Sequence, residues 1–189
     1  GMLLLNLAMI TLGCMLWWRS ATKRSVSSLF VFSDINWALL KRILPMFLPA
    51  CVFLFGLTIW LQPDRLFNLP LERPIVWVFV MVFYPLLSVL PQEMIYRVFF
   101  FERYKSIFPD HRVMIAVSAV AFGHAHIMFG NPVAYLLSAA GGVLFGMTYH
   151  RTQSFMAAWF EHTIYGCFVF SVGLGWYFFS GATHLHGGG

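Results

Sequence analysis

IVWVFVMVFYPLLSVLPQEMIYRVFFF, residues 75–101, decides how the rest of the chain is to be read. It is long and apolar enough to cross a bilayer core of about 30 Å as a helix. Three residues inside it break the pattern: Gln92, Glu93 and Arg97. An ionisable side chain at the centre of a transmembrane helix costs about 2.5–3.5 kcal/mol on insertion scales, and such residues ordinarily face the interior of a bundle. Glu93 and Arg97 are four apart, so they share a helix face and can pair. Pro91 is placed to kink the helix just before them.

Working outward, the remaining sequence repeats the apolar theme. Of 189 residues, 60% are hydrophobic and only 10% are charged, and the mean hydropathy is +0.76. That leaves too little polar surface to coat a globule of this size in water. Six spans are expected: Met2 to Trp18, Leu44 to Leu61, Ile75 to about Phe101, Val113 to Phe129, Val133 to Tyr149 and Phe155 to Phe179. The fold class is therefore all-α, a polytopic transmembrane helix bundle forming a single domain over residues 1–189. Ser33 and Asp34, ahead of Trp37, Leu39 and Leu40, read as the capped start of a short interfacial helix. Residues 181–189 are expected to be an unstructured tail. Gly141, Gly142 and Gly146 suit close helix packing.

Charge placement orients the bundle. Arg19, Lys23, Arg24, Lys41 and Arg42 fall in the first loop, Arg103, Lys105 and Arg112 in the third, and Arg151 in the fifth. The second loop balances Arg65 and Arg73 with Asp64 and Glu72, and the fourth carries no basic residue. Odd-numbered loops are thus expected in the cytoplasm and both termini outside it, in a multi-pass plasma (inner) membrane protein. The net charge of +5 then reports orientation rather than a nucleic-acid partner. No basic residue precedes the first apolar run and no small-residue cleavage site follows it, which predicts a retained span. Cys14, Cys51 and Cys167 lie far apart in apolar runs, without disulfide or zinc spacing.

Other ionisable residues join Glu93 inside the spans: Glu161, His124, His126 and His162. Helical rise puts Glu93 about 15 Å, His162 about 16 Å and His126 about 21 Å from the nearest cytoplasmic basic residue. Three helices thus bring a carboxyl and two imidazoles to comparable depth. His124 and His126 point to nearly opposite sides, so one of them at most faces a shared site, while Glu161 and His162 can border one cavity. A carboxylate and an imidazole can activate a water, and a second imidazole or an amide can stabilise the resulting oxyanion. Inside a membrane, that chemistry is peptide hydrolysis or close to it. No His-Glu-x-x-His helix, Gly-x-Ser-x-Gly elbow or pair of membrane aspartates offers another route.

Gln92-Glu93-Met94-Ile95-Tyr96-Arg97 resembles the Glu-Glu-x-x-x-Arg motif of the CPBP family, the CAAX proteases and bacteriocin-processing enzymes also called the Abi family. Phe122-Gly123-His124-Ala125-His126 is similar to its Phe-x-x-x-His motif, and His162-Thr163-Ile164-Tyr165-Gly166 to its His-x-x-x-Asn/Asp motif. The resemblance covers roughly residues 75–180. It implies a helical glutamic intramembrane endopeptidase that needs no cofactor or metal and acts on a membrane-anchored protein or peptide. On this reading Glu93 and His126 activate water and His162 stabilises the transition state, with Gln92, Arg97, Asn131 and Glu161 in support. Two positions depart from the family pattern. Gln92 stands where the motif has its first glutamate, and an amide is no base; Gly166 stands at the third motif's amide position. Asn131 or Gln92 is then the candidate amide for the oxyanion. The alternative is a catalytically silent relative that binds a peptide or lipid, as an immunity protein does. A metal site built from Glu93, His126 and His162 is a third possibility.

Overall fold

The structure is a computed structural model and describes residues 2–178. It is all-helical. The helices are α1 (Met2–Thr22), α2 (Trp37–Leu61), the short α3 (Asn68–Glu72), α4 (Pro74–Tyr104), α5 (His111–Ala125), α6 (Pro132–Thr152) and α7 (Phe155–Val172). Helices α1, α2, α4 and α6, together with α5 and its following turn, are long and apolar enough to cross a membrane. The sixth expected span corresponds to α7 and the 3₁₀ turn Leu174–Phe178. This helix carries Glu161 and His162, is not, over the described residues, among the five that are long and apolar enough by length and composition, and packs against α2, α4 and α6. The expected unstructured tail lies outside the described residues.

Local chemistry sets the helix starts. Asn36 caps α2, its Oδ1 accepting from the amides of Ala38 and Leu39 at 3.0 and 3.1 Å. Asp110 caps α5 and Ser154 caps α7 in the same way. The cap of α2 is therefore Asn36 rather than Ser33 or Asp34. No separate interfacial helix precedes the second span: α2 runs unbroken from Trp37 through Pro45 and Pro49, and the connection from α1 is made by the 3₁₀ turns Val26–Leu29 and Phe32–Asp34. Gln153 takes a left-handed conformation (φ 52°) directly before Ser154, so α6 stops and α7 begins within two residues.

Small residues set the spacing of α5 and α6. A Cβ on Gly142 would lie 2.9 Å from Ala119 Cα, and one on Gly146 would lie 3.3 Å from Ile115 Cγ2. The backbones can approach this closely only because those side chains are absent, which is how helices gain dispersion contact where lipid offers no hydrophobic drive. Gly141 instead faces the Phe145 ring of its own helix.

Helix α4 is not regular. It widens into π-helical turns at Pro85–Val89 and Met94–Phe99, on either side of Leu90–Glu93. Pro91, expected to kink the helix, lies in the α-helical segment between the two widened turns. Carbonyl groups in both accept side-chain donors from neighbouring helices. Trp159 Nε1 donates to Pro85 O at 2.9 Å, and Ser118 Oγ donates to Tyr96 O at 2.7 Å. Widened turns of this kind recur at functional sites.

Candidate active site

Glu93 sits between the two widened turns of α4 and is fully buried, as is Arg97 one turn on. Arg97 Nε lies 3.3 Å from Glu93 Oε2, an ion pair that is close but not aligned as a hydrogen bond. Arg97 Nη1 donates to Ser118 Oγ at 2.8 Å and to Tyr96 O at 3.2 Å, and its guanidinium lies 5.4 Å from the centre of the Phe122 ring. The other carboxylate oxygen, Oε1, accepts from His162 Nδ1 at 2.8 Å. The partner of Glu93 across the bundle is thus His162 of α7.

His162 is locked from several sides. Its ring stacks on Phe145 at 4.4 Å with the planes 14° apart, and the edge of Phe122 approaches it at 5.5 Å. Because a carboxylate only accepts, Nδ1 carries the proton and Nε2 is left with its lone pair. The Tyr84 hydroxyl donates to Nε2 at 3.2 Å.

His126 lies where α5 gives way to the 3₁₀ turn Ile127–Phe129. Its Nδ1 donates to Phe122 O at 2.8 Å, so its Nε2 is also an acceptor. Phe122 packs against both imidazoles, its ring 4.8 Å from that of His126 and 5.5 Å from that of His162. As expected of two residues on opposite sides of a helix, His124 turns outward and is exposed, beside Tyr135.

A cavity of about 230 Å³ adjoins this cluster. It is mainly apolar, with residues of α2, α4, α5, α6 and α7 in its wall, and its polar lining includes Tyr84, Ser88, Gln92, His126 and His162. Glu93 is not in the wall; it stands behind His162. Gln92 Nε2 donates to Ser88 Oγ at 2.9 Å, while Gln92 Oε1 is buried without a partner.

Two supporting residues sit away from the cavity wall. Asn131 caps α6, accepting from Ala134 N at 2.8 Å, and donates to Phe129 O and Tyr177 O. Both ends of its amide are therefore consumed in holding the α5–α6 connection, and it is not available as the oxyanion amide. Glu161 is buried, with Oε2 unpartnered, and lies within electrostatic reach of Arg97. Among the described residues, no three His, Cys, Asp or Glu side chains gather in a geometry fit to hold a metal ion. Glu93 and His162 bond to each other rather than converging on a common point.

The sequence reading passed over Tyr84, Ser88 and Ser118. The first two had a signal: Tyr84, Ser88 and Gln92 recur every fourth residue and so form a polar stripe on one face of an otherwise apolar helix. Ser118 had none, since a lone serine in a span is ordinary.

A family model described as Type II CAAX prenyl endopeptidase Rce1-like matches residues 74–168, just over half of the chain. The chain belongs to this family. The match takes in all three motif segments and every residue of the Tyr84–His162–Glu93–Arg97 chain of contacts. The Rce1-like family is one of proteases, and with several membrane-length helices the chain is a multi-pass membrane protein. No curated protein and no solved structure gives a match.

Proposed function

We propose that this protein is an intramembrane endopeptidase that cleaves a membrane-anchored protein or peptide with water activated by a carboxylate–imidazole pair, without a metal. The observation that carries the reading is the buried bond from His162 Nδ1 to Glu93 Oε1, with His162 in the cavity wall and its Nε2 bonded to the Tyr84 hydroxyl of the same wall. Glu93, held by Arg97, selects the tautomer and stabilises the imidazolium that forms. A water displaces the Tyr84 hydroxyl at Nε2, gives that nitrogen a proton and bonds to the scissile carbonyl carbon. As the tetrahedral intermediate collapses, the C–N bond breaks and the proton passes to the leaving amine. His126 Nε2, a second acceptor on the same cavity, holds the other hydrogen of the water. On this proposal His162 takes the proton of the water, while His126 positions the water. Gln92 offers its amide to the substrate backbone. The family's named case, a prenylated protein terminus, fits the membrane-anchored substrate class. The basic loops put the odd-numbered connections in the cytoplasm and both termini outside; protease protection of terminal tags in inverted vesicles checks this.

A second reading is favoured by one observation. The first-motif residue in the cavity wall is the amide Gln92, and the carboxylate Glu93 is withdrawn from the wall. On this reading the protein is a silent relative that binds a peptide or lipid.

Cleavage of a membrane-anchored substrate in liposomes, with chelator present, decides between them. The first reading expects wild-type activity, and a loss of at least about 10³-fold in Glu93→Gln and in His162→Ala. The double variant should be no worse than either, because the two act as a unit. Full activity in both single variants sinks it. Inert wild type with cleavage gained in Gln92→Glu establishes the second.

A further inference from the structure

Gly166 lies one turn after His162 on α7, and both line the cavity. A Cβ built on Gly166 would run into the hydroxyl and ring edge of Tyr84. The space a side chain at position 166 would fill is therefore occupied by the phenol of α4. The Tyr84 ring is held there edge-on to Phe170 at 5.0 Å and to His162 at 6.2 Å, and its hydroxyl is bonded to His162 Nε2. The widened turn Pro85–Val89 begins at the next residue. The third motif that this segment resembles carries an amide or carboxylate at the position of Gly166.

We propose that the Tyr84 hydroxyl is the oxyanion donor of this site, and that position 166 is glycine because the phenol takes the space of the missing amide. The inference rests on the endopeptidase reading above. At rest the hydroxyl donates to His162 Nε2. Once water takes that acceptor, the O–H is free to turn to the carbonyl oxygen as the new C–O bond pushes the carbonyl electrons onto it. The phenol keeps its proton throughout; the proton taken from water travels by His162. A hydroxyl already in place at the cavity wall needs little reorganisation at the moment charge develops, which is the condition for a donor to favour the transition state over the ground state.

The test is a set of paired variants assayed for cleavage and for thermal unfolding. Tyr84→Phe keeps the ring and removes the donor; kcat should fall by about 100-fold with KM little changed. Gly166→Asn alone should lower the unfolding temperature and abolish cleavage, because its side chain meets the phenol. Combining it with Tyr84→Ala opens the space. The double variant should then unfold no earlier than Tyr84→Ala and cleave at least about tenfold faster than it, since an amide donor now stands where the hydroxyl stood.

Full-rate cleavage by Tyr84→Phe overturns the inference, and so does a double variant no faster than Tyr84→Ala. Either result, with wild type active and Glu93→Gln inert, leaves the endopeptidase reading intact. Inert wild type sinks the endopeptidase reading and this inference with it. Unfolding of Gly166→Asn at the wild-type temperature overturns the steric claim independently of activity.

Discussion

Helix α4 has two halves built on opposite rules. From Pro74 to Tyr84 it is almost purely apolar and buries no residue; Ile75 is 73% exposed. From Glu93 to Val98 it carries a glutamate and an arginine, and both are 0% exposed. In water the first half would be the core and the second the surface. In a bilayer the assignment inverts, because lipid accepts apolar side chains at no cost while a charge must find its partners inside the protein. The interior of this bundle thus holds the groups that lipid cannot solvate, set among apolar packing residues.

That contrast can be broken at its polar end first. Glu93→Ala removes the partner of both Arg97 and His162, and should destabilise the fold by about 3–5 kcal/mol, read as a shift in denaturant unfolding in detergent micelles. A shift below about 1 kcal/mol would mean that the charges are solvated some other way. The comparison is sharpened by neutralising both partners. Glu93→Met with Arg97→Met should recover most of that stability, since a buried pair replaced by apolar groups of similar size is often neutral. It should remain without cleavage, which separates the structural worth of the ion pair from its chemical one.

A smaller effect is expected where the interior is apolar. Gly142→Ala, facing Ala119, should cost about 1–3 kcal/mol by prising α5 from α6, followed by the same unfolding measurement. Smallest of all, Val78→Leu on the lipid-facing half of α4 should stay within about 0.5 kcal/mol of wild type and leave cleavage unchanged. A large loss there would place that face against protein rather than lipid.

Much of this was legible because hydropathy and charge act locally. Glu93 and Arg97 are paired by helical spacing alone. His126 and His162 stand out as imidazoles in apolar runs, and both reach the cavity. The glycines of α6 announced its close packing, and two of the three serve it. What was not legible concerned contacts between helices. The hydrogen bond of Glu93 to His162 has no trace in sequence spacing, because it depends on α7 meeting the segment between the two widened turns. Asn131 looked like a free amide, but the 310 turn and the approach of Tyr177 consume it.

By itself the sequence determined that this chain crosses a membrane several times, which residues are too polar to face lipid, and through its motifs which protease family it resembles. These follow from transfer free energies and helical periodicity, which are properties of each residue and its near neighbours. Only the tertiary structure decided which imidazole the carboxylate of Glu93 holds, that Gln92 rather than Glu93 lines the cavity, and that Tyr84 fills the space beside Gly166. Those depend on the azimuth of one helix against another. Two π-helical turns in α4 rotate its face in a way that a regular repeat does not encode.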